Sequence, residues 1–168
     1  MLKKIMSLFV SIMSESKKNS NIQPSHLDKV KEEDGYFVWK KGEDFSLSPY
    51  FKTREFSCQC KFLDCKDQKI SVKLISKLDI LRKEANQSLR ITSGFRCTKH
   101  QASLKSGAVN TVVASVSTHE KGDAADVQPK DKNIAKFLLL AEKQFSSIGT
   151  AKTFLHLDTR LGYRRWVY

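Results

Sequence analysis

Ser117-Thr118-His119-Glu120-Lys121-Gly122-Asp123-Ala124-Ala125-Asp126-Val127 is the stretch from which the rest of the chain is most readily understood. A histidine and an aspartate stand seven residues apart, a glycine lies between them, and small apolar residues lead into the aspartate. The pattern predicts a loop carrying His119 that enters a buried strand carrying Asp126. A buried carboxylate requires a cation or several donors. With an imidazole aimed at the same point, a divalent metal is the expected occupant.

A second stretch, Phe154-Leu155-His156-Leu157-Asp158-Thr159-Arg160, reads as a strand. Residues two apart on a strand share a face, so Leu155 and Leu157 are expected in the core while His156 and Asp158 line a cleft. Zinc accepts imidazole nitrogen and carboxylate oxygen, and catalytic zinc keeps three protein ligands. His119, Asp126 and His156 make such a set. A third stretch, Ser93-Gly94-Phe95-Arg96, ends a strand in a glycine turn and presents an arginine. A guanidinium is always charged and forks onto a carboxylate or a developing oxyanion.

Around these stretches the periodicity predicts a helix from Ser71 to about Ala85, capped by Ser71, with Val72, Ile75, Leu78 and Leu81 on its apolar face and Leu74 widening it. A strand is expected at Leu89–Thr92. A second helix starts at Asp131 or Asn133 and runs to about Gln144. Strands follow at Thr153–Thr159 and Tyr163–Tyr168, and one short helix lies near Thr53–Phe56. Helices and short strands mix without βαβ regularity, which predicts an α+β class with a small, mostly antiparallel sheet.

The chain has 168 residues and a formal charge of +12, with 40% apolar residues. That length predicts one domain plus an N-terminal extension. No apolar run reaches the roughly 18 residues of a membrane span. The charge is uneven: residues 1–50 hold eight Lys/Arg against seven Asp/Glu, and residues 51–168 hold 22 against 11. A basic body predicts an anionic partner. The scattered Lys/Arg, with little aromatic interleaving, count against a nucleic-acid groove. Residues 1–16 have the layout of a secretory signal, two lysines and then a short apolar run. Residues 17–44 read as a flexible arm or linker, in which Gly35–Trp39 forms a short strand or a hydrophobic clip onto the domain; residues 45–168 read as the domain. Cys58, Cys60, Cys65 and Cys97 leave three readings open: two disulfides if the chain is exported, with Cys97 bridged to one of the other three; a structural zinc on four thiolates; or four reduced thiols.

Taken together, Ile91–Cys97, Ser117–Gly122 with Ala124 and Asp126, and Ser147–Gly149 through Phe154–Arg160 and Arg165-Trp166 resemble the zinc D-Ala-D-Ala carboxypeptidase and endopeptidase family of peptidoglycan peptidases. The subgroup most resembled includes phage lysins and periplasmic wall hydrolases, and the resemblance covers roughly residues 45–168. It implies a hedgehog/D-Ala-D-Ala peptidase-like fold, with a zinc cleft across a small sheet flanked by helices. It also implies Zn2+ as cofactor, with His119, Asp126 and His156 as its ligands, and hydrolysis of D-amino-acid-containing stem peptides or cross-links by a metal-activated water. Arg96 matches the arginine that holds substrate or stabilises the transition state. Many members carry a catalytic carboxylate three residues before the last histidine, where this chain has Thr153. Asp158 is therefore expected to be the base or the group orienting the water, with Glu120 as a further candidate. The expected partners are peptidoglycan stem peptides and anionic wall polymers, with no nucleic acid and no membrane span; the chain is expected to be a monomer that is periplasmic, secreted or phage-encoded. The alternative is a non-catalytic, zinc-containing wall-binding module on the same fold.

Overall fold

The computed structural model describes residues 30–106 and 117–168. The expected signal segment and residues 17–29 of the expected arm lie outside the described residues. The architecture is mixed α+β, built on two sheets. In chain order the elements are β1 (Lys31–Glu33), β2 (Tyr36–Lys40), α1 (Thr53–Phe56), β3 (Asp67–Ser71), α2 (Val72–Ala85), β4 (Leu89–Ser93) and α3 (Thr98–Ser106). There follow α4 (Thr118–Lys121), β5 (Ala124–Pro129), α5 (Ile134–Ala141), β6 (Ser147–Thr150), β7 (Leu155–Asp158) and β8 (Arg164–Val167). Among the described residues no helix is long and apolar enough to cross a membrane.

The larger sheet has five strands in the order β4-β5-β7-β6-β8. Its pairings are antiparallel except for β8, which runs parallel to β6. Alternation along the two central strands sorts their side chains. Ala125 and Val127 of β5 and Leu155 and Leu157 of β7 turn into the core, where they join Ile148, the α2 residues Leu74, Ile75, Leu78 and Leu81, and Phe137 and Ala141 of α5. Each fully buried aliphatic side chain contributes about 1.5–3 kcal/mol. The opposite parity, Asp126 and His156, is left for the other face.

Helix α2 forms where its spacing predicts. Ser71 Oγ accepts the Leu74 N–H at 3.4 Å, and Asn86 closes the helix in the left-handed region at φ 49°. Asn133 caps α5 by accepting the Lys136 N–H at 3.0 Å, but the regular helix ends at Ala141, short of Gln144.

The smaller sheet, β1-β2-β3, begins inside the stretch read as an arm, with β1 and β2 lying within residues 30–44. β2 pairs with β3 along its whole length, and Trp39 is buried in the core with its indole N–H donating to Ser57 Oγ at 3.0 Å. The hairpin also braces the turn after α4. Tyr36 O–H donates to Asp123 Oδ1 at 2.9 Å, and the Ser71 N–H donates to the Gly122 carbonyl at 2.9 Å.

Candidate metal centre

Short local devices place each of the three expected ligands. His119 sits in the single turn α4. There Ser117 and Glu120 form a reciprocal capping box, and Gly122 ends the turn at φ 77°. A side chain at Gly122 would be strained there and would also meet the Lys69 carbonyl at 2.8 Å. The glycine thus reverses the chain from His119 into β5. Asp126 and His156 are direct cross-strand partners of β5 and β7, and Gly149 of β6 is opposite His156 on the other side.

Three acceptor atoms converge. His119 Nε2 lies 3.1 Å from His156 Nδ1, and Asp126 Oδ1 lies 3.3 Å from the first and 3.0 Å from the second. All three residues are buried. The other nitrogen of each ring is already engaged. His119 Nδ1–H donates to the Gly94 carbonyl at 2.7 Å, and His156 Nε2 faces Asp158 Oδ2 and Thr118 Oγ1, each at 3.3 Å. Those partners set the tautomers, so both imidazoles turn a lone pair toward the carboxylate oxygen. Three lone pairs within about 3 Å repel one another unless a cation or a proton sits among them. Tetrahedral zinc at about 2.0–2.2 Å from N and O ligands has ligand–ligand edges of about 3.3–3.6 Å, close to the triangle seen here. By donor type and spacing the residues fit a divalent metal.

The electrostatics of the three groups follow from their burial and their mutual contact. Burial pushes His119 below the ordinary histidine value, against the pull of Asp126. Burial also works to lower His156, but Asp126 and Asp158 outweigh it and hold that imidazole above its usual value. Asp126 is buried, which favours its neutral form, yet the two imidazoles keep it well below the usual carboxylate range.

Arg96 reaches the site through the Asp126 carboxylate. Its Nη2 donates to Asp126 Oδ2 at 2.7 Å, its Nε to Ser93 Oγ at 2.9 Å and its Nη1 to Gln101 Oε1 at 3.4 Å. The guanidinium therefore holds the second oxygen of Asp126 and leaves Oδ1 facing the imidazoles. A tight turn puts it there: a Cβ on Gly94 would come within 2.6 Å of the Phe56 backbone.

Asp158 does not stand where a base at the convergence point would stand. It lies behind His156, on the Nε2 side, with its side chain wholly buried. Its oxygens accept from Arg160 Nη2 at 2.6 Å, Arg160 Nε at 3.1 Å, the Arg160 N–H at 3.0 Å and Ser147 Oγ at 2.9 Å. Burial works upward on Asp158, but His156, Arg160 and Ser147 hold its carboxyl well below the usual range. Such a group orients an imidazole and is a poor proton acceptor. Glu120 Oε2 is committed to the Ser117 N–H at 3.2 Å, and Thr153 is exposed on the β6–β7 loop.

Three contributors were not singled out from the residues alone: Ser147 and Thr118, which contact Asp158 and His156, and Trp166. The Trp166 ring lies 5.3 Å from that of His156, and an added Cβ at Gly149 would fall 2.6 Å from Trp166 Nε1. Gly149 is what lets the indole cross β6 to reach the histidine. Trp166 also neighbours Tyr168, which stacks at a tilt on Phe154.

A mixed α+β fold with a buried two-histidine, one-aspartate donor triangle across its sheet defines the class of proteins with a candidate metal centre of hydrolytic type. A family model described as Peptidase M15 matches residues 49–158, and the chain belongs to that family of metallopeptidases. A search of curated proteins finds no match.

Proposed function

We propose that this chain is a zinc-dependent peptidase that hydrolyses peptide bonds in the stem peptides or cross-links of bacterial peptidoglycan. The observation that carries the reading is the convergence of His119 Nε2, Asp126 Oδ1 and His156 Nδ1 within 3.3 Å of one another, in a chain of the Peptidase M15 family. These three residues would hold the metal. Zinc there supplies Lewis acidity, polarising a scissile carbonyl and activating water at neutral pH.

The chain's own residues prepare that chemistry. The Gly94 carbonyl and Asp158 each take the N–H of one imidazole, which fixes its tautomer and raises its basicity. Arg96 is a positioning residue that restrains Asp126 through its second oxygen. Trp166, Phe154 and Tyr168 form an aromatic flank beside His156 for the substrate to lie against. The excess of Lys/Arg over Asp/Glu in residues 51–168 suits a substrate with free carboxylates and the anionic polymers around it. Such a substrate places the work in the periplasm or outside the cell.

The test is digestion of purified sacculi and of defined cross-linked muropeptides, with fragments separated and weighed. New amine and carboxyl termini are expected from the wild type, none from His119→Ala, and loss on chelation with recovery on zinc addition. Binding to sacculi without new termini would mark a wall-binding module instead. The fragment masses also decide between terminal D-Ala removal and cross-link cleavage.

A further inference from the structure

Away from the His-Asp triangle, the four cysteines form a second convergence. Cys58 and Cys60 follow α1, Cys65 precedes β3, and Cys97 immediately follows Arg96. All four Sγ atoms lie within 4.8 Å of one another, and no disulfide joins them. From this cluster we infer a second metal site, a closed tetrathiolate centre formed by Cys58, Cys60, Cys65 and Cys97 that binds zinc structurally.

Two features separate this from a pair of disulfides. The first is mutual proximity: each sulfur neighbours the other three, whereas bridging needs only two close pairs. With zinc–sulfur bonds of about 2.3 Å, tetrahedral sulfurs are about 3.8 Å apart, and Cys60 Sγ lies 3.7 Å from Cys97 Sγ. The second is that every sulfur has an N–H group turned toward it. Cys97 N–H points at Cys58 Sγ (3.4 Å), Lys41 Nζ at Cys60 Sγ (3.5 Å), Gln68 Nε2 at Cys65 Sγ (3.5 Å) and His100 N–H at Cys97 Sγ (3.5 Å). His100 Nδ1 lies a further 3.2 Å from Cys58 Sγ. Neutral thiols and disulfides are weak acceptors, whereas thiolates are strong ones. Four thiolates around a dication leave a net charge of −2. Lys41, with Lys61 and Lys66 around the same concavity as Cys60 and Cys65, offsets it.

The position of the cluster says what it is for. It joins the loop after α1 to the residue that follows Arg96 and immediately precedes α3, and α3 supplies Gln101 to the guanidinium. Cys58 N–H donates to Gln68 Oε1 of β3 at 2.7 Å, so the smaller sheet is tied in as well. With four protein ligands there is no open position for a substrate, which makes the centre a structural one. Its metal would hold the Arg96 turn against Asp126.

Metal and thiol counting on the full chain test this. The wild type is expected to retain two zinc ions per chain. His119→Ala/His156→Ala should retain one, and Cys58→Ser/Cys97→Ser should lose one. Four thiols should become reactive only after a chelator is added to unfolded protein. Cobalt-loaded His119→Ala/His156→Ala should show a near-ultraviolet sulfur-to-cobalt charge-transfer band. If the serine variant does not fold, the wild type and the histidine variant still decide. A histidine variant with no metal and four freely reactive thiols would overturn the inference, as would unfolded, unreduced protein with no thiols. Failure of the His-Asp site alone would remove the other equivalent and leave the charge-transfer band in place.

Discussion

Replacing Asp158 by asparagine separates two roles that differ in what they do to the metal. The carboxylate is wholly buried and accepts from Arg160 Nη2 at 2.6 Å, the Arg160 N–H at 3.0 Å and Ser147 Oγ at 2.9 Å, with His156 Nε2 at 3.3 Å. Asparagine keeps the size but turns an NH2 group toward groups that are themselves donors. Each lost hydrogen bond to the charge is worth about 1.5–3 kcal/mol, and the imidazole loses the partner that fixes its tautomer. Loss of such a partner typically weakens a metal site about 10–100-fold, which is about 1.4–2.7 kcal/mol of binding. Competition against a chromophoric chelator measures the affinity, and turnover of a defined muropeptide at saturating zinc measures the chemistry. The expected result is weaker zinc binding in that range, with most of the turnover recovered once the site is filled. Unchanged zinc affinity with turnover down about 100-fold or more at saturating metal would refute this reasoning and make Asp158 the proton-transfer group.

Arg96→Ala should also weaken zinc binding about 10–100-fold, measured by the same competition, because Asp126 Oδ2 loses its 2.7 Å partner. Gly149→Ala should destabilise the fold by about 1–3 kcal/mol in urea titrations and change the Trp166 emission, since the new methyl group falls 2.6 Å from the indole nitrogen. Leu157→Ala, at a fully buried position between sheet and helices, should cost about 2–5 kcal/mol by the same titration. The depressed carboxyls of Asp126 and Asp158 contribute stability that is present above the unfolded aspartate value of about 3.9 and is lost as pH falls through their folded values. Melting temperature followed from neutral to acid pH should therefore fall more steeply for the wild type than for Asp158→Asn.

The convergence of His119, Asp126 and His156 was legible because these residues lie in contiguous motifs. Glycine-ended turn, small-residue strand and alternating His-Leu-Asp strand each translate locally into a direction. What strand parity does not tell is which nitrogen of His156 a neighbour meets. Asp158 shares its face but approaches Nε2, so the residue expected as base lies behind the ring, away from the convergence point. Arg96 was visible as an arginine after a glycine turn, while its pairing to Asp126 depends on the packing of that turn against Phe56. The N-terminal hairpin was legible in one strand only. Gly35–Trp39 reads as a short strand or clip, whereas β1 is exposed throughout and carries no apolar alternation. Helix α3 has little apolar pattern, and the parallel pairing of β8 with β6 leaves no local signature at all. The cysteine convergence joins residues 58–65 to residue 97, a distance in sequence that only the fold closes.

The central claim is that His119, Asp126 and His156 hold a divalent metal, and anomalous X-ray diffraction from zinc-loaded crystals at the zinc edge tests it most directly. The account predicts a peak within coordination distance of His119 Nε2, Asp126 Oδ1 and His156 Nδ1, absent from crystals of His119→Ala/His156→Ala. Fully loaded wild-type crystals with no peak among those three atoms would contradict it, as would a peak bound through the opposite nitrogens of the two rings.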